Sequence, residues 1–269
     1  MRRMSLCLIF AATLFFGCAG PIAVTSVPQG TPPEKKGAPH TPPPSLPADE
    51  QEEFELAQRG LIAAGPAVDI RTREGKPVWD LRRYEFLSME RSAPDTVHPA
   101  LWRHAQRNAL YGLFKVTDRI YQVRGYDISV ISFVEGKTGY IVIDPLISTE
   151  SARAALDLVY QHLPRKPIVA VIYTHSHVDH WGGVKGIVSD EDVKAGRVRI
   201  IAPEGFMKEA ISENIMVGNA MARRATYMFG TTLSPGPKGQ VDAGMGKTSS
   251  NGTISLIAPT EEIRKTGQE

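Results

Sequence analysis

Residues 175–183 read HSHVDHWGG and follow an apolar run, PIVAVIYT at residues 167–174. Within six residues the stretch places three histidines and one aspartate: His175, His177, Asp179 and His180. Neutral imidazoles and carboxylates are ligands that Zn²⁺ prefers. A cluster of this kind at a strand end is far more specific than an isolated histidine, so we predict a metal site rather than a metal-free histidine-rich loop. Two ligand pairs this close together can serve two ions instead of one.

The segments before this motif alternate between strand and helix patterns. The strand patterns are rich in β-branched residues and are separated by glycine turns: IYQV at 120–123, ISVISFVEG at 128–136 and GYIVIDPL at 139–146. Thr149–His162 has helical spacing, with Ser148 or Thr149 as its N-cap. The apolar run before the motif then predicts a buried strand. The alternation indicates an α/β (α+β) fold with the motif at a strand end.

The chain before these strands is predicted to be helical. EEFELAQRGLIAA at residues 52–64 has helical spacing and is followed by Gly-Pro, which predicts a helix that ends there. HPALWRHAQRNALYGLFKV at residues 98–116 predicts a second helix. We therefore expect a helical N-terminal region over residues 49–116, and the domain that contains the metal motif over residues 117–269.

The first part of the chain has the pattern of an exported protein. Residues 1–17 combine a basic start with a short apolar run, which predicts a signal peptide. Cys18 follows a small residue, as in a bacterial lipobox, so we expect it to be acylated; the alternative is ordinary cleavage near Ala19 or Ala23. Residues 18–48 are rich in proline and predict an extended linker. Together these features predict a periplasmic or outer-membrane lipoprotein, held to the membrane by its N-terminal lipid.

Composition excludes some classes of partner. The chain has 31 Lys and Arg against 29 Asp and Glu, a net charge of +2, which argues against nucleic acid as a partner. Its apolar fraction of 42% is ordinary for a globular protein. With 2 cysteines, one of them inside the signal peptide, a disulfide scaffold is not expected.

The motif also carries a family resemblance. THSHVDHWGG resembles the signature of the metallo-β-lactamase superfamily. GYIVIDPLISTESARAALDLVYQHLP before it and NIMVGNAMARRATYMFG at residues 214–230 resemble the alkyl sulfatases of that superfamily. The resemblance implies an αββα sandwich and the hydrolysis of linear alkyl sulfate esters by a metal-activated water.

The resemblance also implies roles for single residues. His175 and His177 would hold one zinc ion, and Asp179, which would also be catalytic, would hold the other together with His180. Asp144, at the end of the IVID run, matches an acidic residue beside the superfamily's metal site and would orient a ligand. The alternative for Asp144 is a residue that begins a turn before the next proline.

The family takes further ligands, two glutamates and a histidine, from later in its chain. No histidine follows His180 here, and we leave Glu261 and Glu262 unassigned. We therefore expect only the first half of the sandwich, a truncated N-terminal part of an alkyl sulfatase. The resemblance implies that the full-length enzymes form homodimers, which we do not expect of a truncated chain. The alternatives are an inactive remnant, or another hydrolase of this fold such as a lactamase or thioesterase. Four histidines are poor candidate ligands: His40, His98, His104 and His162.

Other patterns allow more than one interpretation. Arg223 and Arg224 could hold a sulfate group or lie on a solvated helix face. Met216, Met221 and Met228, with Tyr227 and Phe229, could line an alkyl tunnel or belong to the core. GMGKT at residues 244–248 imitates the end of a phosphate-binding loop, but Val241 stands where that motif needs glycine, so we favour a plain glycine-rich loop.

Overall fold

The computed structural model describes residues 49–65, 69–89 and 91–268. The predicted leader and linker, residues 1–48 with Cys18, lie outside these residues, so export and lipidation stay predictions. Among the described helices, none combines the length and the hydropathy that a membrane span requires.

Helices and strands alternate through most of the described chain. The α-helices are α1 (Asp49–Gln58), α2 (Pro99–Arg107), α3 (Thr149–His162), α4 (Asp190–Lys194), α5 (Phe206–Ile211) and α6 (Gly218–Phe229). The strands are β1 (Leu61–Ala63), β2 (Asp69–Arg71), β3 (Pro77–Asp80), β4 (Gly112–Thr117), β5 (Ile120–Arg124), β6 (Ile131–Glu135), β7 (Tyr140–Ile143), β8 (Ile168–Ile172), β9 (Arg199–Pro203) and β10 (Glu261–Ile263). Short 3₁₀-helices span Leu81–Leu87, Val178–His180 and Val184–Gly186, and a π-helical turn spans Ser212–Met216.

One mixed sheet organises the described residues. Its eight strands run in the order β1-β4-β5-β6-β7-β8-β9-β10, and β2 and β3 form a separate pair. The strands from β1 to β7 pair antiparallel, whereas those from β7 to β10 pair parallel. The change occurs where α3 connects β7 to β8, because parallel neighbours need a crossover. This crossover places the ends of β7 and β8 at the same sheet edge.

Helix α3 confirms the predicted bounds and buries one face. It covers Thr149–His162, and the Ser148 hydroxyl caps it by accepting a hydrogen bond from the Ser151 amide at 3.3 Å. Ala155 and Val159 on this helix are fully buried. Within β7, Tyr140 and Val142 are buried while the alternate positions are partly exposed, as expected for a strand in a sheet. The three strands predicted between residues 120 and 146 are therefore confirmed.

The predicted first helix is too long. α1 ends at Gln58, and the next residues, Leu61–Ala63, form β1 and pair with β4. Gly60 explains the end of the helix, because its φ is +80° and a Cβ there would lie 2.1 Å from the Lys115 carbonyl oxygen. Apolar spacing alone could not reveal this close approach of two backbones.

The predicted second helix also ends earlier than expected. α2 ends at Arg107, and Gly112–Thr117 forms β4, in which Leu113 and Phe114 are almost fully buried. Residues 49–116 therefore contain strands of the main sheet as well as the helices α1 and α2, so the prediction of a helical N-terminal region is wrong in part. β4 itself crosses the predicted boundary at residue 117.

Candidate metal centre

Residues 174–181, which we call the histidine loop, leave the end of β8 and bring three imidazoles together. The ring of His175 lies 4.7 Å from that of His177 and 4.1 Å from that of His180, centroid to centroid. The 3₁₀-turn Val178–His180 turns the chain back, so that the Asp179 carboxylate lies 3.1 Å from Nε2 of His180. All four predicted ligands therefore lie at one place.

The residues directly after the histidine loop pack closely against the segment between β7 and α3, and further contacts hold the loop itself. A Cβ on Gly183 would lie 2.1 Å from the Pro145 carbonyl oxygen, so no other residue fits without a shift of the backbone. The indole nitrogen of Trp181 donates to the Ser176 carbonyl at 2.8 Å, and the Ser129 hydroxyl donates to the Asp179 carbonyl at 2.5 Å. These contacts fix the backbone that presents the imidazoles.

Asp144 supports the histidine loop from the end of β7. It is buried, its φ is +56°, and it accepts hydrogen bonds from the Thr174 amide at 2.9 Å and the Thr174 hydroxyl at 2.8 Å. Its Oδ2 also lies 2.8 Å from Nδ1 of His180. A turn residue alone would not need this contact, so the geometry agrees with the ligand-orienting alternative for Asp144.

Glu213 is a neighbour of the site that the sequence patterns did not reveal. It lies on the π-helical turn after α5, and its Oε1 is 3.0 Å from Nε2 of His177. Its Oε2 accepts a hydrogen bond from the Ser176 hydroxyl at 2.9 Å. The residue directly precedes the family-like stretch that begins at Asn214, but a single glutamate so far along the chain has no ligand spacing that would mark it.

Burial and neighbouring charges perturb the side chains of the site in different directions. Burial alone would lower the pKa of His180, but hydrogen bonds to Asp144 and Asp179 raise this pKa to about 9. Burial and the neighbouring imidazoles lower the pKa of His175. Burial opposes ionisation of Asp179, yet contact with His180 leaves the pKa of this carboxyl below its ordinary value. Such perturbed groups in one place are typical of functional sites.

The donor set has the chemistry that zinc requires, but it is incomplete. Within residues 49–65, 69–89 and 91–268, no three side chains of His, Cys, Asp or Glu form a group arranged to hold a metal ion. Asp179 and His180 instead contact each other, and His177 contacts Glu213. Imidazole nitrogen and carboxylate oxygen nevertheless fit zinc, so these four residues fit a partial ligand set.

The remaining described histidines and the C-terminal glutamates belong to other elements of the fold. His98 caps α2 through Nδ1, and Nε2 of His104 lies 2.7 Å from the Gly244 carbonyl. His162 is exposed in the last turn of α3. Glu261 of β10 pairs with Arg199 of β9, and Glu262 pairs with Arg264. His40 lies outside the described residues.

Residues 242–250, which we call the lysine loop, contain the motif that resembles a phosphate-binding loop. The Lys247 side chain is 1% exposed and pairs with Asp242 at 3.0 Å. Its ammonium group also donates to the Ala105 carbonyl in α2. A lysine held in this way is not presented to a phosphate, which agrees with the plain-loop interpretation.

Helix α6 is largely exposed. It contains no buried residue, and both Arg223 and Arg224 are exposed, which agrees with a solvated face. Tyr227 is 90% exposed and Met216, just before the helix, is 78% exposed. The core interpretation of these apolar side chains is therefore wrong for the described residues, and the alkyl tunnel stays a prediction.

Known proteins are similar to this chain in sequence and in fold. A family model described as the metallo-beta-lactamase superfamily matches residues 124–256. A linear primary-alkylsulfatase from Pseudomonas sp. is 55% identical over 223 residues, which make up 83% of this chain and 33% of that protein. An alkyl/aryl-sulfatase from Saccharomyces cerevisiae is 52% identical over 224 residues, 83% of this chain and 34% of its own length. The solved structure of the stereoselective inverting sec-alkylsulfatase Pisa1 from Pseudomonas sp. is 51% identical and superimposes with a TM-score of 0.78, over 82% of this chain and 35% of that one.

The chain belongs to the alkylsulfatases of the metallo-beta-lactamase superfamily. The resemblance drawn from the histidine motif and the predicted metallo-β-lactamase-like α/β fold are thus confirmed. Membership of this superfamily implies metal ions. The chain spans about a third of the length of the curated alkylsulfatases that it matches.

Proposed function

We propose that this chain supplies metal-binding residues for the zinc-dependent hydrolysis of linear alkyl sulfate esters. One observation carries the proposal: four zinc-type donors lie together on the histidine loop of a chain that, over 83% of its length, is 55% identical to a linear primary-alkylsulfatase. His175 and His177 would hold one ion, and Asp179 and His180 the other. Asp144 would fix the ring of His180.

The chemistry follows from what such donors can hold. Bound zinc lowers the pKa of a coordinated water to about 7, so that hydroxide is available near neutral pH. The chain's own contribution is orientation. Trp181 and Ser129 hold the loop backbone, and Asp144 keeps Nδ1 of His180 engaged so that Nε2 points towards Asp179. Asp179 is partly buried and ionised, which suits both a metal ligand and the catalytic role that the resemblance implies.

Zinc titration of the full chain tests the ligand assignment. We expect zinc bound by the wild-type protein to be lost in His177→Ala and retained in His162→Ala, an exposed histidine away from the site. Equal zinc binding by His177→Ala and wild type would overturn the assignment.

Sulfate release from dodecyl sulfate tests the substrate class. We expect release by zinc-loaded wild type, and none by His177→Ala. Zinc binding without sulfate release would favour the inactive alternative. Hydrolysis of nitrocefin or of a thioester in place of dodecyl sulfate would favour another hydrolase of this fold.

A further inference from the structure

The three imidazoles of the histidine loop are not held in the same way. Nδ1 of His175 lies 2.9 Å from the Thr174 hydroxyl, and Nδ1 of His180 lies 2.8 Å from Asp144. His177 is instead engaged through the opposite ring nitrogen, because its Nε2 lies 3.0 Å from Glu213. These contacts leave Nε2 of His175 and Nδ1 of His177 for a metal, whereas Nε2 of His180 faces Asp179, the residue proposed to share its ion, at 3.1 Å.

Glu213 uses both of its carboxylate oxygens on the histidine loop. Oε1 contacts His177 and Oε2 accepts from the Ser176 hydroxyl, while the side chain itself is 19% exposed. The neighbouring Asn214 amide donates to the Ser176 carbonyl at 3.3 Å and to the Ala210 carbonyl at 2.8 Å. The π-helical turn therefore holds the backbone of Ser176 and the side chains of Ser176 and His177.

We propose that Glu213 is a positioning residue, which keeps a proton on Nε2 of His177 and so leaves Nδ1 of that ring for the metal. A carboxylate accepts hydrogen bonds and does not donate them, so the ring nitrogen that faces it must carry the proton. A neutral imidazole then has a single nitrogen lone pair for a ligand bond, on the other side of the ring. Carboxylates that hold ligating histidines in this way fix the tautomer and the ring orientation.

The contacts favour a positioning role over direct coordination by Glu213. Both of its oxygens already have partners within hydrogen-bond distance, His177 and Ser176. Asp144 makes a comparable carboxylate contact to His180, through Nδ1 of that ring. The proposal rests on the zinc site of the proposed function only for its metal-loaded consequences, because the tautomer itself is a property of the chain without metal.

Nitrogen-15 NMR of the histidine side chains in the full chain decides the tautomer without any metal. At mildly alkaline pH we expect His177 to be protonated on Nε2 in wild type, and to become a mixture of tautomers in Glu213→Ala. Glu209→Ala removes an exposed carboxylate from the preceding helix and should leave the His177 signals unchanged. A wild-type His177 protonated mainly on Nδ1 would overturn the proposal.

Zinc affinity provides the second measurement. Loss of a carboxylate that orients a ligand costs about 10–100-fold in metal affinity, so we expect at least a tenfold weaker zinc Kd in Glu213→Ala. We expect Glu213→Gln, which keeps an acceptor oxygen, to recover part of the loss, and Glu209→Ala to bind like wild type. Unchanged affinity in Glu213→Ala would overturn the proposal. A wild-type chain that binds no zinc would overturn the proposed function, whereas the tautomer measured without metal would still decide the role of Glu213.

Discussion

The histidine loop and the lysine loop both contain motif-like sequences with titratable side chains. The two loops differ in how exposed and how fully paired these side chains are. The His177 side chain is 55% exposed, and it contacts the Glu213 carboxylate through Nε2, which leaves Nδ1 of the ring for a ligand. The Lys247 side chain is 1% exposed, and its ammonium group is surrounded by Asp242 and a carbonyl of α2. Whether a side chain can bind a ligand therefore depends on whether one of its polar atoms is left without a protein partner. The sequence of a motif does not show this.

The lysine loop is held in place by a buried ion pair and by hydrogen bonds. Asp242 accepts from the Asn108 amide at 3.1 Å and from the Gly244 amide at 2.7 Å, besides its contact with Lys247. Burial lowers the pKa of Lys247, and Asp242 opposes this effect. A buried ion pair with these extra hydrogen bonds connects the loop to α2. Loss of the ion pair should therefore lower the free energy of unfolding and should not affect ligand binding.

Lys247→Met should have the largest effect, because it leaves the Asp242 carboxylate buried without its counter-charge. Removal of one partner of a buried pair costs about 3–5 kcal/mol of unfolding free energy. The double variant Lys247→Met with Asp242→Asn removes both charges and keeps an acceptor, so it should regain at least half of that loss. Urea unfolding measures both variants.

Lys238→Met is the matched control, since Lys238 is exposed on the preceding segment. Its unfolding free energy should stay within about 0.5 kcal/mol of wild type. If Lys247→Met were equally harmless, the ion pair with Asp242 would not stabilise the lysine loop, and Lys247 would be available to a ligand.

Asp127 accepts a hydrogen bond from Ser250 of the lysine loop, and it should give the free energy of unfolding an unusual dependence on pH. Burial raises the pKa of this carboxyl to about 6, against hydrogen bonds from the Ser250 hydroxyl and from the amides of Ser250, Ile128 and Ile147. The folded state thus binds a proton more readily than the unfolded state does. The destabilising charge is fully present above pH 6 and disappears as pH falls towards the ordinary value of 3.8, so this group favours folding at lower pH.

A comparison with Asp127→Asn isolates this contribution, because other titrating groups are common to both proteins. Between pH 7 and pH 5 the unfolding free energy of wild type should rise relative to the variant by on the order of 1 kcal/mol. A difference that is constant with pH, or that changes in the opposite direction, would show that the Asp127 carboxyl titrates normally in the folded protein.

The sequence predicted well whatever depends on neighbours along the chain. The four donors at 175–180, the capped helix Thr149–His162 and the strands around it follow from local spacing and were found where expected. The predictions failed where a distant backbone decides the conformation. α1 ends because Gly60 lies against the backbone at Lys115. β4 forms because it pairs with β1 on one side and with β5 on the other.

The support of the site was harder to predict than the site itself. Asp144 could be noticed because it follows an apolar strand, yet its contact with His180 depends on the crossover through α3. Glu213 lies on a helical segment whose polar residues look like a solvated face, and only the fold brings it to His177. The same holds for Lys247, whose burial depends on α2 and Asp242.

His177→Ala in zinc-free protein should have the smallest effect on stability, and it tests the other side of the comparison. The ring is more than half exposed, its main polar contact is Glu213, and that carboxylate keeps its bond from Ser176. Exposed ion pairs and single hydrogen bonds contribute little, so the unfolding free energy measured with chelator should fall by less than about 1 kcal/mol. With zinc added, wild type should become more stable and the variant should not, because only a protein that binds the ion in its folded state gains from it. A large loss already without zinc would mean that the histidine loop is held by His177 itself, and the contrast with the lysine loop would fail.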